Sequence, residues 1–185
     1  MRARIILFIL LITCLSLTQH THTKAEEFEG LVLKGTLFDT IGSTYDIDPL
    51  LLYSIAITES ATGVGKGNIQ PHPYVIRTDN GPQFFKNRAA AEKELAKVLY
   101  RTTNVDIGMM QINLFYHPQS NPLDLLDPHY NLTYAAQYLK KTLASTDDPI
   151  LGVGRYHSWT ENRANWYGRR VWKTYNNLVQ LILFE

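Results

Sequence analysis

Three Asp-Pro pairs constrain this chain more than any other feature: Asp48-Pro49, Asp127-Pro128 and Asp148-Pro149. An Asp side chain accepts from the free amides at a helix start, and Pro supplies the backbone angle favoured at the first helical position. Each pair therefore marks the beginning of a helix. After Asp127, the residues Leu132, Ala135, Ala136, Leu139 and Leu143 recur at spacings of three and four, which makes one buried stripe. Val171, Tyr175, Leu178 and Ile182 repeat that pattern near the C-terminus, and "NRAAAEKELAKVL" at 87–99 is helical in composition. Leu31, Phe38, Ile41 and Tyr45 trace a first helix, against which Gly30 and Gly35 count. One stretch breaks the helical grammar. Tyr74, Val75 and Ile76 precede Asp79-Asn80-Gly81, and Phe84-Phe85 follow, the signature of a hairpin. Pro73 and Pro82 limit its strands to short, edge-type ones. The expectation is a mainly α single domain with a small β-hairpin wing and no internal boundary or repeat.

The N-terminus has a different character. Arg2 and Arg4 precede an apolar run from Ile5 to Leu17, and a polar stretch then ends in Thr23-Lys24-Ala25. Small residues at the two positions that govern cleavage make residues 1–25 a secretory signal peptide, too short for a spanning helix. The domain is then residues 26–185, exported to the periplasm; a retained anchor is the alternative. The sole cysteine, Cys14, lies within the apolar run, after Thr13 and before further apolar residues, which is not a lipid-attachment pattern. The mature chain has no cysteine and is long enough for one core to sustain it without disulfides. Removing Arg2, Arg4 and Lys24 leaves 15 basic residues against 17 acidic, so the net charge passes from +1 to −2. Bulk charge thus argues against nucleic acid as a partner. Three Trp and eleven Tyr suit stacking on sugar rings, and an ordinary core equally well.

One acid stands apart. With Asp48 as cap, Leu52, Ile55, Ala56 and Glu59 fall on one helical face, so Glu59 shares the apolar stripe. It also sits in the last turn, where unpaired carbonyls disfavour a carboxylate. Desolvation and the helix end both push its pKa upward, toward the protonated carboxyl that a general acid requires. A surface Glu, or one paired with Arg, is the plainer alternative. "VDIGMMQIN", 105–113, sets Gly108 among apolar residues and follows it with Gln111 and Asn113, whose amides can bond to sugar hydroxyl or acetamido groups. Taken alone, the segment reads as a core helix capped by Asp106. In "VGRYHSW", 153–159, the Tyr156 hydroxyl is able either to orient a carboxyl or to bond a backbone carbonyl. His72, His117, His129 and His157 form no ligand pair at helical spacing, and no Gly-rich phosphate loop is present, so neither a metal nor a cofactor is expected.

Taken in order, "ES" at 59–60, "GMMQIN" at 108–113, "DPHYNLTYAAQYL" at 127–139 and "RYHSW" at 155–159 resemble the soluble lytic transglycosylases (SLT domain). In that family a Glu-Ser pair is followed by a Gly-Leu-Met-Gln-Ile type motif, an Asn-containing helix and an Ala-Tyr-Asn type motif. The resemblance runs from about Asp48 to Tyr175. The wing and "YHSW" look most like specialised members encoded with conjugation and secretion systems. Met109 replaces the usual Leu at nearly constant volume. His157 replaces Asn, so the tyrosine carries over and the Asn role does not.

The resemblance implies a lysozyme-like, goose-type domain that cleaves peptidoglycan between N-acetylmuramic acid and N-acetylglucosamine, leaving 1,6-anhydro ends. It makes Glu59 the single acid and base, with Tyr156 positioning its carboxyl. Ser60, Gly108, Met109, Gln111 and Asn113 would hold the saccharide or the site. The implied partners are peptidoglycan glycan strands and components of an envelope-spanning machine, with a monomer as the default state. A hydrolytic muramidase and a non-catalytic glycan-binding or scaffold component remain the competing readings.

Overall fold

The structure is a computed structural model that describes residues 31–65 and 68–183; the expected signal peptide lies outside the described residues. Among the described residues six α-helices carry the fold: α1 (Leu37–Tyr45), α2 (Pro49–Ser60), α3 (Arg88–Leu99), α4 (Pro128–Leu143), α5 (Pro149–Gly154) and α6 (Glu161–Leu183). All three Asp-Pro pairs act as read from the sequence. Asp48 accepts from Leu50 N–H at 2.8 Å, Asp127 from Tyr130 N–H at 3.0 Å and Asp148 from Ile150 N–H at 2.8 Å. α1 begins later than Leu31, because Thr36 caps it through Asp39 N–H and Gly35 turns in a left-handed conformation just before it.

The helices share one core. Leu52, Ile55 and Ala56 of α2 are fully buried, as are Leu132, Ala135, Ala136 and Leu139 of α4, the stripe marked by its spacing. α2 lies against α1 and α6, α1 also against α4, and α5 against both α4 and α6. The close fit of α5 on α6 depends on Gly154, where an added Cβ would lie 2.0 Å from the Ala164 carbonyl oxygen. A short 3-10 helix, Pro122–Leu126, leads into α4.

The β structure exceeds the single expected hairpin. The expected one forms from β3 (Val75–Thr78) and β4 (Gly81–Phe84), with Asp79-Asn80 between the paired Thr78 and Gly81. A second hairpin, β1 (Ala61–Gly65) with β2 (Asn68–Pro71), continues directly from α2. A third corrects the helical reading of "VDIGMMQIN": β5 (Asp106–Ile107) and β6 (Ile112–Asn113) pair antiparallel, and β5 also pairs with β3. The result is a four-stranded antiparallel sheet in the order β4-β3-β5-β6. Asp106 is accordingly a strand residue facing Arg77 on one side and Asn113 on the other, not a helix cap.

Candidate active site

Between the sheet and the helices runs a cleft of about 1090 Å³. Glu59, at the end of α2, reaches it together with Arg77 from β3, Asp106 from β5, Asn113 from β6 and Tyr167 and Arg170 from α6. The Tyr167 hydroxyl donates to Glu59 Oε1 at 2.5 Å. Burial pushes the Glu59 carboxyl up to about 7, against the opposing pull of the Tyr167 bond; Asp106 adds to the rise, and Arg77 and Arg170 oppose it. Near neutral pH this group is divided between its two protonation states, as a residue that both gives and takes a proton should be.

Tyr167, rather than Tyr156, is thus the residue that holds the Glu59 carboxyl. Tyr156 is buried beneath the cleft and donates to the Met110 carbonyl at 2.8 Å, tying α5's end to the β5–β6 turn. Its ring lies 6.4 Å from that of Tyr167, nearly parallel to it. His157, whose role the sequence left open, stacks on the Tyr167 ring with 4.8 Å between ring centres. The signal for Tyr167 was present: it stands four residues before Val171, one turn back along the α6 stripe.

Three other expected substrate contacts turn out to be framework. Ser60 is 2% exposed; its hydroxyl donates to the Met109 carbonyl at 2.8 Å and accepts from His72 N–H at 3.2 Å, joining α2, the β5–β6 turn and the first hairpin. Met109 is buried in the core. Gly108 adopts a positive φ of 78°, and a Cβ there would meet Asn131 Nδ2 at 2.4 Å and the Leu125 carbonyl oxygen at 2.5 Å. The close approach it permits is therefore to Asn131, not to ligand. Asn131, fully enclosed on α4, accepts from Met110 N–H at 2.9 Å and donates to the carbonyls of Ile107 and Leu125, both at 3.0 Å. One buried amide so fixes the turn that carries the motif.

Gln111 and Asn113 do line the cleft. Gln111, at φ 48°, donates to the Gly108 carbonyl at 2.9 Å and accepts from Arg77 Nε at 3.2 Å. Asn113 donates to Asp106 Oδ1 at 2.9 Å. Asp106, which the sequence reads as a helix cap, lines the same cleft as Glu59. Further along, Tyr138 sits edge-on to His117 at 4.5 Å between ring centres, and Trp159 Nε1 donates to the Tyr138 hydroxyl at 3.0 Å. Trp159 and Trp166 also line the cleft and are 60% and 59% exposed, with the Arg155 guanidinium over the first ring at 5.2 Å and that of Arg170 over the second at 5.8 Å.

A helical domain with an antiparallel wing, and a cleft lined by aromatic side chains and by a buried Glu whose pKa is raised, fits a lysozyme-like enzyme of glycan cleavage. The family model for the transglycosylase SLT domain matches residues 36–179, and the chain belongs to that family, the peptidoglycan lytic transglycosylases. Comparison with curated proteins gives no match.

Proposed function

We propose that this enzyme cuts the β-1,4 bond between N-acetylmuramic acid and N-acetylglucosamine without water and leaves a 1,6-anhydro ring on the muramic residue. The carrying observation is the Glu59 carboxyl, held by Tyr167 at 2.5 Å and raised to about 7. Protonated, Glu59 gives its proton to the glycosidic oxygen as the bond to C1 of the muramic residue breaks. The resulting carboxylate takes the proton of that residue's C6 hydroxyl, whose oxygen bonds to C1 and closes the ring. Glu59 ends as it began, and no atom is gained from solvent. Because the nucleophile is tethered, its effective concentration is on the order of 10⁵ M or more, so no residue need activate a water. Arg77, Lys141, Arg163 and Arg170 outnumber the two acids along the cleft, which suits a polymer whose stem peptides bear carboxylates.

The enzyme would act after export, with residues 1–25 removed, on the wall in the periplasm. The β-wing and "YHSW" support local wall opening for a conjugation or secretion apparatus as its task. Mass spectrometry of fragments released from purified sacculi by residues 26–185 tests the reaction. Muramic ends lighter by one water are expected. Hydrated reducing ends would make it a hydrolytic muramidase, and sacculus binding without release would make it a glycan-binding component.

A further inference from the structure

A smaller hollow adjoins the cleft. It measures about 360 Å³ and is lined by His157, Asn162, Arg163 and Trp166. His157, Arg163 and Trp166 line the cleft as well, so the two spaces share a wall. That wall stands close to the acid. The His157 ring stacks on Tyr167 with 4.8 Å between ring centres, and the Tyr167 hydroxyl donates to Glu59. A group that branches from the sugar beside Glu59 therefore has a bay next to it. The muramic residue carries such a branch, because its stem peptide hangs from the lactyl group on C3, two carbons from the bond that breaks.

The bay is cationic. No acid lines it, and Arg163 makes no ion pair among the described residues. Other arginines are engaged within the fold: Arg88 pairs with Glu92 and Asp127, Arg155 donates to Ser145, and Arg77 donates to Gln111. Arg170 brings a second guanidinium to the Trp166 ring at the shared wall. Desolvation holds the His157 imidazole below its ordinary pKa; Asp106 opposes this, and Arg163 and Arg170 assist it. The ring is then neutral near pH 7, with one donor and one acceptor nitrogen, and the Asn162 amide likewise has both. A planar guanidinium pairs with a carboxylate through two parallel hydrogen bonds, while neutral donors and acceptors suit peptide groups. A neutral sugar makes no use of the Arg163 charge; a stem-peptide carboxylate does.

We infer that this bay is a subsite for a carboxylate of the stem peptide on the reacting muramic residue, with Arg163 as its ligand, so that peptide-bearing strands are selected over stripped ones. This rests on the peptidoglycan reading above and does not depend on how the glycosidic bond is resolved. The test is calorimetric titration of the Glu59→Gln protein with three probes. These are tetrasaccharide strands bearing tetrapeptides, the same strands stripped by an amidase, and peptide-bearing strands whose carboxylates are capped as methylamides. Peptide-bearing strands should bind about fivefold tighter than stripped ones, the size of a favourable exposed ion pair, and capped strands should bind like stripped ones. Adding Arg163→Gln should bring the ratio close to one. Adding Arg169→Gln should leave it in place, since Arg169 is exposed on the same helix and lines neither space. Equal affinity for all three probes, or an advantage that survives Arg163→Gln, overturns the inference. Capped strands that bind as tightly as free ones overturn it too, and that comparison decides should the Arg163→Gln protein fail to fold. Binding of no probe at all would instead remove the peptidoglycan reading on which the inference stands.

Discussion

Replacing Tyr167 by Phe removes one oxygen and with it the 2.5 Å bond to Glu59 Oε1. That bond favours the ionised carboxylate and works against burial, the largest influence on the group. Its loss leaves burial and Asp106 less opposed, so the proton is held to higher pH. Hydrogen bonds to charged groups contribute roughly 1.5–3 kcal/mol, and 1.36 kcal/mol corresponds to one pH unit. At the lower end of that range the alkaline limb of kcat/KM, near 7 in the parent, moves up to about 8. The carboxyl also loses the contact that orients it, and the plateau rate should fall about 10- to 100-fold. The assay is initial release of muropeptides from sacculi between about pH 5 and about pH 9, at substrate concentrations well below KM. Tyr156→Phe is the matched comparison, because Tyr156 bonds Met110 and not Glu59. It should cost about 1–2 kcal/mol of stability, the price of a buried carbonyl losing a partner, and leave the limb nearly in place. If Tyr156→Phe moves the limb and Tyr167→Phe does not, the assignment of the two tyrosines is wrong.

Glu59→Gln keeps shape and loses the transferable proton; lytic activity should fall by about three orders of magnitude or more with the fold intact, as read by turbidity of sacculi and circular dichroism. The same variant exposes a linkage. Glu59 rises from an ordinary 4.5 to about 7 on folding, so between those values the native state binds a proton that the unfolded chain does not. Parent stability should fall as pH rises from about 4.5 to about 7, by up to about 3 kcal/mol relative to Glu59→Gln, measurable in urea titrations at both pH values. Gly108→Ala drives a Cβ into Asn131 and the Leu125 carbonyl at a φ of 78°, and should lower stability by about 2–4 kcal/mol in the same titrations. Asn131→Ala leaves Met110 N–H and the carbonyls of Ile107 and Leu125 without their partner; about 3 kcal/mol or more should be lost, and sacculus binding should weaken as the hairpin loosens.

What the sequence shows of this protein follows the reach of each interaction. The Asp-Pro starts are legible because cap and helix lie within three residues of one another, as Asp127 and Tyr130 show. Glu59 is legible for the same reason: its place on the α2 stripe follows from four residues, and no distant contact is needed to assign it. The β5–β6 hairpin is not legible. Strands of two residues carry no period, and an apolar run around Gly108 fits a helix as well until Arg77 and Asn113 are found opposite Asp106. The same blindness made Asp106 look like a cap, since an Asp before apolar residues is ambiguous without its partners.

The tyrosines show the limit most clearly. Tyr156 and Tyr167 are both buried, their rings 6.4 Å apart, and either hydroxyl had the chemistry to hold a carboxyl. The choice between them is made by where α6 crosses α2, a contact spanning 108 positions of sequence. Motif order carried the general site across such distances because the turn at 108–113 and the end of α2 are clasped together by Ser60. It did not carry the identity of each contact. Residues inside the quoted motifs, Ser60 and Gly108 among them, proved to build the cleft, whereas Tyr167, which lies outside all of the motifs, reaches the acid. In this fold the recognisable residues hold the backbone that positions the chemistry, and part of the chemistry comes from a helix with no signature beyond an amphipathic stripe.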